Sequence, residues 1–249
     1  MSSLQESREN PVQVQRIDDL FEILPKKCNN ILEIGARDGH LSLLLTEHFE
    51  SVYALDLEMP SISHDKITCV QGDVTKLDFE DNQFDVVFCT EVLEHIPKEL
   101  LQKACDELIR VSARYIIIGV PYKQDLRSGQ TTCKSCKKTN PPWGHINSFT
   151  KHKLLNLFKN TSNHKTSFVG TNTNRTNIVS HFLMKLSGNP YGTYIQDESC
   201  IYCNSPIDAP ENVKFYQLIM AKFASLLTKI QRKLSPKKHA NWIHIVFNK

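Results

Sequence analysis

No stretch of this sequence is apolar for the length needed to cross a membrane, and the first ten residues are polar, without the apolar segment of a signal peptide. The chain also contains no internal repeat, no low-complexity tract and no unbroken run of basic residues. These absences argue against an integral membrane protein, a secreted protein and a repeat protein. We therefore expect a soluble cytoplasmic protein, whose 249 residues suffice for one α/β domain with or without a small insertion.

The small net charge of +3 conceals a difference between the two halves of the chain. Residues 1–121 carry 11 Lys+Arg and 22 Asp+Glu, a net charge of −11. Residues 122–249 carry 19 Lys+Arg and 5 Asp+Glu, a net charge of +14. Such an asymmetry indicates either that the basic half meets an anionic partner or that its lysines simply face solvent.

The eight cysteines are of two kinds. Four are single and lie mostly within apolar patterns, where a thiol acts as a small apolar group: Cys28, Cys69, Cys89 and Cys105. The other four form two C-x-x-C pairs, and their spacing is typical of a tetrahedral structural zinc site: Cys133, Cys136, Cys200 and Cys203. An incidental pair of loops and a redox pair are the alternatives, although neither pair starts a helix after a strand, as a redox pair normally does. His145 could replace one thiolate.

Hydrophobic patterns predict alternating strands and helices up to Pro121. The predicted strands are 31–34, 52–55, 67–70, 84–89 and 115–120, and the predicted helices are 12–24, 41–45 and 98–111. Continuous apolar strands that alternate with helices indicate a parallel sheet covered on both faces. Beyond a polar, lysine-rich stretch, we predict helices at 149–158, 177–186 and 211–234 and strands at 166–170 and 242–247.

Glycines and acidic residues follow the predicted strands at their carboxyl ends, where open α/β sheets bind their ligands. Gly35 and Gly39 form a tight turn after the first strand, and Asp56 and Asp73 follow the second and third. An acidic residue about 20 positions beyond the glycine turn suits two ribose hydroxyls, because a carboxylate accepts two hydrogen bonds. Asp56 has that spacing, although it could also be an ordinary strand-end turn residue.

The order of these motifs resembles that of the class I S-adenosylmethionine-dependent methyltransferases over roughly the first half of the chain. The matching segments are Leu32-Glu33-Ile34-Gly35-x-x-x-Gly39, Leu55-Asp56, Gly72-Asp73-Val74, Phe84-Asp85-Val86-Val87 and Glu91-Val92-Leu93-Glu94-His95-Ile96. The resemblance implies a Rossmann-like α/β fold, with a seven-stranded, mostly parallel sheet, helices on both faces and an antiparallel final strand. In one departure, Arg37 stands where the family commonly has its middle glycine.

The resemblance also implies roles for individual residues. Glu33 and Gly35 would line the methionine end of the cofactor, Asp56 would hold the ribose, Asp73 with Val74 would meet the adenine, and Glu91 would lie near the sulfonium. The full set of implied cofactor-binding residues is Glu33, Gly35, Ala36, Arg37, Gly39, Asp56, Leu57, Asp73, Val74, Thr90 and Glu91. A dinucleotide is the rival ligand, but it calls for the fuller G-x-G-x-x-G pattern, and the acidic side chains of Glu33 and Asp38 would repel its phosphates.

We accordingly expect three segments: a cofactor-binding core at 1–121, an insertion at 122–210 that includes a core strand near 166–170, and a C-terminal helix with the last core strand at 211–249. The insertion around Cys133 and His145 resembles one found after the fifth strand in some small-molecule methyltransferases of this class. That resemblance implies a zinc-bearing lid, built from 122–148 and 188–205, which caps the cofactor cleft and shapes the acceptor pocket.

A hydroxyl acceptor benefits from a nearby base, and the candidate catalytic residues are His145, Glu91 and Tyr122. His95 is a further candidate, although it fits a cap of the helix after the fourth strand better. We expect methyl transfer to an oxygen or nitrogen of a small molecule, such as a specialised metabolite, a glycan or an anionic acceptor. An RNA methyltransferase and a non-catalytic cofactor-binding or docking module are the alternatives. The helix at 211–234 is predicted to cover the sheet or the lid, or else to form a dimer contact or a membrane-surface helix.

Overall fold

The computed structural model describes residues 10–162, 164–173, 175–234 and 237–249. Residues 1–9, which the predicted cofactor-binding segment includes, lie outside the described part. The described chain divides into two compact units. We call them the sheet unit (residues 14–122, 149–170 and 242–249) and the cysteine unit (residues 10–13, 123–148 and 171–241).

The sheet unit contains seven strands and four helices, the first helix starting one turn before the unit does. The strands are β1 (Asn30–Ile34), β2 (Ser51–Asp56), β3 (Ile67–Gln71), β4 (Phe84–Thr90), β5 (Ser112–Pro121), β8 (His164–Val169) and β9 (Trp242–Asn248). The helices are α1 (Pro11–Glu22), α2 (His40–Leu45), α3 (Leu101–Val111) and α4 (Lys151–Leu157).

The seven strands pair in the order β3-β2-β1-β4-β5-β9-β8. The first five strands are parallel to one another, whereas β9 is antiparallel to both of its neighbours, β5 and β8. The strand order therefore runs outward from β1 in both directions, and the last strand, β9, lies between β5 and β8. This arrangement confirms the predicted Rossmann-like sheet with an antiparallel final strand.

Successive side chains of the central strands point to opposite faces of the sheet, and each face has its own apolar cluster. On one face, Leu32 and Ile34 of β1 pack in a cluster with α3 and α4 residues, including Leu108 and Leu154. On the other, Ile31 joins a cluster with helix residues that include Leu20 of α1 and Leu45 of α2. Because both faces are covered, β1, β4 and β9 are buried along nearly their whole length.

The cysteine unit contains short elements before Ser148 and a pair of longer helices after it. They are β6 (Thr131–Thr132), β7 (Thr139–Asn140), a 3-10 turn (Pro142–Gly144), α5 (Ile178–Leu186) and α6 (Phe215–Leu234). Strands β6 and β7 form an antiparallel hairpin. Helix α5 begins at the N-cap Asn177, whose side chain accepts a hydrogen bond from the Ser180 N–H at 2.7 Å.

The compact units group the chain differently from the three predicted segments. Residues 149–170 contribute α4 and β8 to the sheet unit, whereas α6 belongs to the cysteine unit and not with β9. The difference arises because β8 reaches its partner β9 only across about 70 intervening residues, so sequence neighbours are not spatial neighbours here. Within the described residues, no helix is both long and apolar enough to span a bilayer.

Candidate functional site

Four loops meet at the carboxyl edge of the parallel strands, on either side of the point where the strand order reverses. Because β1 has β2 on one side and β4 on the other, the connections from β1 and β4 leave in opposite directions and open a crevice between them. The loops after β1, β2, β3 and β4 carry eight of the eleven residues predicted to bind a cofactor, and the other three, Glu33, Asp56 and Thr90, lie at or next to the last residue of a strand. The tertiary structure thus brings these sequence motifs to one edge.

The loop from β1 to α2 is a tight turn that needs glycine at both of its ends. Gly35 has φ of 83° and Gly39 has φ of 79°, and both values favour glycine. A Cβ on Gly35 would lie 2.5 Å from Cγ2 of Val92. The backbone N–H groups of Gly35 and Ala36 both donate to the Leu55 carbonyl, at 2.8 and 3.1 Å, and so join the turn to β2.

Arg37 occupies the place of the middle glycine and still adopts a left-handed backbone, with φ of 46°. Its N–H donates to Oδ2 of Asp56 at 2.8 Å. This bond ties the turn to the end of β2 and offsets part of the cost of a left-handed non-glycine residue. The departure from the family pattern therefore leaves the turn closed.

The carboxylates of Asp56 and Asp73 both accept backbone hydrogen bonds at the strand ends. In addition to the bond from Arg37, Asp56 accepts one from the Leu57 N–H at 2.7 Å, and Asp73 accepts one from the Thr75 N–H at 2.8 Å. These bonds fix the orientation of each carboxylate. Since a carboxylate oxygen has two lone pairs, Asp56 retains the capacity to accept hydrogen bonds from two neighbouring hydroxyls.

Glu33 is a buried carboxylate in the middle of β1, beneath the glycine turn. Burial, together with the charges of Asp56 and Asp38, raises the pKa of Glu33 to about 7, although a hydrogen bond from Ser42 of α2 opposes this shift. The group therefore changes charge near neutral pH. A cationic ligand group beside it would favour the ionised form.

Glu91 follows β4 with φ of 57°, and its N–H donates to the Gly119 carbonyl at 2.9 Å. Its carboxylate accepts a hydrogen bond from the indole N–H of Trp242 at 3.3 Å and lies 3.8 Å from the guanidinium of Arg16. That guanidinium in turn lies 5.7 Å from the centre of the Trp242 ring. Sequence analysis did not single out Arg16 or Trp242, because Trp242 is 151 positions from Glu91 and no local pattern links them.

The remaining predicted residues of the sheet unit differ in their surroundings. Thr90 and Val74 are buried, whereas Leu57 is 69 % exposed. Tyr122 continues β5 with a bridge to Phe149, and its ring meets that of Phe168 edge-on, with centres 4.9 Å apart.

The prediction that His95 caps the helix after the fourth strand is wrong. Residues 91–96 form turns, in which the His95 N–H donates to the Val92 carbonyl at 3.0 Å, and α3 begins only at Leu101. The polar pattern that precedes Pro97 belongs to a turn because proline disfavours helical backbone in the residue before it.

A second polar network in the sheet unit was absent from the sequence analysis. Asp19 of α1 accepts a hydrogen bond from Ser167 of β8, and its other oxygen lies 2.6 Å from Nδ1 of the buried His244 on β9. Burial opposes ionisation of this carboxyl, but the hydrogen bonds from His244 and Ser167 outweigh it and lower the pKa of Asp19. Asp19 therefore joins one helix to two strands.

The four cysteines of the two C-x-x-C pairs come together in the cysteine unit. The sulfur atoms of Cys133 and Cys203 are 3.7 Å apart, those of Cys136 and Cys200 are 3.6 Å apart, and all four lie within 4.8 Å of one another. A disulfide would require about 2.0 Å. Tetrahedral coordination with metal–sulfur bonds of about 2.3 Å places sulfur atoms about 3.8 Å apart, close to the observed distances.

Each pair lies in a turn with the same backbone hydrogen bonds. The Cys133 N–H donates to the Lys138 carbonyl at 3.0 Å, and the Cys200 N–H donates to the Ser205 carbonyl at 2.9 Å. Hydrogen bonds with the side chain and backbone of Ser205 also lower the pKa of Cys203 to about 6, whereas burial and the neighbouring thiols, against a backbone hydrogen bond of Lys138, raise that of Cys136 to about 11. A lowered pKa favours the thiolate, which is the form that binds metal ions. This donor set and its spacing fit zinc.

His145 lies in the cysteine unit and is buried beside Trp143, with ring centres 6.0 Å apart. Its Nδ1 is 2.7 Å from Oε1 of Gln124. With the amide oxygen as the acceptor, Nδ1 carries the proton and Nε2 carries the lone pair, which is the tautomer of a general base. His145 is not part of the four-sulfur cluster.

Comparison with known proteins finds a similarity in the central segment. Residues 32–114 match the family described as a methyltransferase domain. Over 112 residues the chain is 30 % identical to the ubiquinone biosynthesis O-methyltransferase of Pseudomonas aeruginosa, a match that covers 41 % of this chain and 47 % of that enzyme. The chain thus spans about half the length of the curated relatives it matches.

Solved structures share the fold over nearly the whole chain. An S-adenosylmethionine-dependent methyltransferase of Archaeoglobus fulgidus superposes with a TM-score of 0.52 at 15 % identity, covering 99 % of this chain and 98 % of that one. The YcgJ protein of Bacillus subtilis gives a TM-score of 0.55 at 13 % identity, covering 93 % and 96 %. The strand order and these superpositions show that the chain has the fold of such methyltransferases, and residues 32–114 are similar to a methyltransferase domain.

Proposed function

We propose that this protein transfers the methyl group of S-adenosylmethionine to an oxygen atom of a small molecule. The observation that carries the proposal is the convergence of the Gly35 turn, Asp56, Asp73 and Glu91 at the switch point of the sheet. The similarity to an O-methyltransferase of Pseudomonas aeruginosa supports oxygen, and not nitrogen, as the acceptor atom.

The residues at this edge suit a cationic ligand without phosphates better than a dinucleotide. Glu33, Asp56, Asp73 and Glu91 are all carboxylic, and the positive φ of Gly35 leaves its backbone open to close approach. When bound, the cofactor supplies a methyl group made electrophilic by its sulfonium charge. We assign the ribose hydroxyls to Asp56, the adenine to Asp73 and Val74, and the methionine end to Glu33 and Gly35.

The protein's own part in the reaction is to position the acceptor and to receive its proton. Positioning supplies most of the rate of a displacement at a methyl carbon, since the reacting atoms must approach in line. We assign the proton to Nε2 of His145, because the contact with Gln124 sets the tautomer of a base. Trp242 and Arg16 hold the Glu91 side chain at the sheet edge, where we expect it to lie near the sulfonium.

Calorimetry with S-adenosylmethionine, S-adenosylhomocysteine and NAD tests the cofactor assignment. We expect the first two to bind, NAD to give no heat, and Asp56→Ala to weaken binding at least about tenfold through loss of its charged hydrogen bonds. Asp78→Ala, an exposed carboxylate in the loop after β3, is the matched control and should bind as the wild type does. Failure of both sulfur cofactors to bind would refute the proposal.

Acceptor screening with methyl-labelled cofactor tests the reaction. We expect label in a phenolic or other hydroxyl-bearing small molecule, and a lower kcat with little change in cofactor affinity for His145→Ala. Cofactor binding without transfer to any acceptor would instead support a non-catalytic docking module.

We also propose that Cys133, Cys136, Cys200 and Cys203 hold one structural zinc ion. The tetrahedral spacing of their sulfur atoms supports this assignment, as does the matching backbone geometry of the two turns. Metal analysis of the purified protein should find about one zinc per chain. The zinc should be lost in Cys133→Ser/Cys200→Ser and retained in Cys69→Ser, whose thiol lies on β3.

RNA is the second candidate acceptor, favoured by the net charge of +14 over residues 122–249. Binding to RNA would weaken steeply as salt is added, because each neutralised phosphate releases counterions. Salt-sensitive RNA binding together with label transfer to RNA would replace the small-molecule proposal. A protein that neither binds nor methylates RNA would support the small-molecule proposal.

A further inference from the structure

Helices α5 and α6 of the cysteine unit expose an unusual number of large apolar side chains. On α6 these recur every three or four residues along one stripe: Phe215, Ile219, Phe223, Leu226, Ile230 and Leu234. On α5 they are Ile178, Val179, Phe182 and Leu186. Ile178 is 76 % exposed, and Phe215 and Leu234 are each 79 % exposed. We call these ten side chains the α5–α6 surface.

The two helices pack against each other through small side chains, which leaves the large ones outside. Ser180 of α5 and Ala221 and Ala224 of α6 are buried. The hydroxyl groups of Thr176 and Thr228 are 3.2 Å apart. Because the helices meet through small residues, their large apolar side chains do not cover one another. An apolar surface of this extent on a folded protein marks an interaction site.

The charged side chains of helices α5 and α6 are all of one sign. Neither helix contains an aspartate or glutamate, and together they carry five basic residues: Lys185, Lys222, Lys229, Arg232 and Lys233. In a two-fold dimer the same surface meets itself, so the cations of one copy would face those of the other without a carboxylate from either helix. An anionic surface offers the opposite charge.

We propose that the α5–α6 surface docks the protein on anionic lipid membranes. Its apolar side chains would enter the boundary between headgroups and acyl chains, while its lysines and arginine contact the negatively charged headgroups, as in other amphipathic helices that lie in the plane of a membrane. This docking is separate from methyl transfer, since it uses none of the residues assigned to the cofactor or the acceptor.

Vesicle co-sedimentation of the full-length protein tests the proposal. Vesicles of phosphatidylcholine containing phosphatidylglycerol should bind the protein at least about tenfold more strongly than vesicles of phosphatidylcholine alone. Phe215→Ser/Phe223→Ser should lower binding to the anionic vesicles by at least about tenfold. Lys222→Glu/Lys229→Glu should abolish the preference for anionic lipid.

Two double variants are matched controls, since they make the same changes outside the α5–α6 surface. Met59→Ser/Ile195→Ser removes two exposed apolar side chains, and Lys98→Glu/Lys103→Glu reverses two exposed charges. Both should bind anionic vesicles as the wild type does. We expect every variant to fold, because all eight substituted side chains are exposed. Circular dichroism and a melting curve check this.

Three results would overturn the proposal. The first is equal binding to neutral and anionic vesicles, and the second is an equal loss of binding in the control variants. The third is a wild type that ignores vesicles but forms a dimer by light scattering, with Phe215→Ser/Phe223→Ser monomeric. That last result would assign the surface to a second copy of the chain.

Discussion

In the sheet unit, the central strands bury apolar side chains on both faces, whereas in the cysteine unit the core cluster of the described residues centres on two thiols. That cluster comprises Cys133, Cys200 and Ile207, with Cys136 and Tyr194 packed against it. Much of what is buried elsewhere in the cysteine unit is polar, including Asn140 and Asn189. The sheet unit is therefore stabilised by apolar burial, and the cysteine unit depends on hydrogen bonds and on its sulfur cluster.

This difference indicates which unit would depend on the proposed zinc ion. A small apolar core contributes little free energy of folding, and small domains with few buried apolar residues commonly require a metal or disulfides. The same scarcity of buried apolar groups accompanies the exposed stripes of α5 and α6. We expect the two units to respond differently to chelation and backbone strain.

Removal of the proposed zinc ion should have the largest effect. A chelator, or Cys133→Ser/Cys200→Ser, should unfold the cysteine unit while the sheet unit keeps its own melting transition, because in small zinc domains the metal supplies about 10 kcal/mol or more of folding free energy. Differential scanning calorimetry with and without chelator measures this. A metal-free protein with an unchanged melting profile would show that the two units do not differ in this way.

Gly35→Ala and Gly188→Ala compare the cost of strain in the two units. Both glycines have positive φ, but a Cβ would lie 2.5 Å from Val92 at position 35 and no closer than 3.5 Å to Gln217 at position 188. We expect Gly35→Ala to lower the free energy of unfolding by about 2–4 kcal/mol and to abolish cofactor binding. Gly188→Ala should cost about 1 kcal/mol. Urea unfolding checks both values, and equal costs would show that the packed turn is more tolerant than its geometry indicates.

Asp19 and Asp125 play matching parts in the two units. Asp125 accepts hydrogen bonds from Arg127 and from the Thr176 N–H at 2.8 Å. Burial opposes ionisation, yet these bonds lower the pKa of Asp125 below its ordinary value, as the bonds described above do for Asp19. Each carboxylate therefore contributes stability above its ordinary pKa of 3.8, and the contribution is lost as pH falls through the lower folded-state pKa.

We expect Asp19→Asn and Asp125→Asn each to lower the free energy of unfolding by about 2 kcal/mol at neutral pH, with a smaller difference from wild type in acid. Urea unfolding at both pH values measures the effect, and the exposed Asp65→Asn serves as control. If the deficit of Asp125→Asn persisted unchanged at the lowest pH, its charge would not be the source of stability.

The pH dependence of cofactor affinity should show the smallest effect, and it belongs to the sheet unit alone. Burial raises the pKa of Glu33 to about 7, so a cation that favours the ionised form must displace a proton below that pH. Affinity should therefore rise with pH up to about 7, by at most about tenfold per unit, and Glu33→Gln should be flat over that range. Calorimetry of cofactor binding at several pH values in this range measures the slope for the wild type and for Glu33→Gln. A parallel slope in Glu33→Gln would assign the proton to another group.

Local patterns were sufficient to predict most of the sheet unit. Continuous apolar runs located the strands of the sheet to within a few residues, since a strand buried on both faces is apolar throughout. The antiparallel place of β9 followed from the family resemblance and is confirmed. Helix α6 starts at Phe215 and not at residue 211, because its first backbone hydrogen bonds run from the Gln217 and Leu218 N–H groups to the Lys214 carbonyl.

The contacts around the site could not be predicted in the same way. Arg16 and Trp242 reach Glu91 from the two ends of the chain, and Asp19 meets Ser167 and His244 across 148 and 225 positions. Such partners depend on which strands lie side by side. A sequence pattern reports only on neighbours within a few residues.

The amino-acid sequence by itself determined the strands, the glycine turn at Gly35 and the two C-x-x-C turns, because each depends on short-range backbone and side-chain preferences. Only the tertiary structure decided that the sulfur atoms of Cys136 and Cys200, which are 64 positions apart in the sequence, lie 3.6 Å from each other. It also decided that the apolar stripes of α5 and α6 stay exposed. The physical reason is that periodicity shows which side of a helix is apolar. What covers that side depends on the packing of the whole chain.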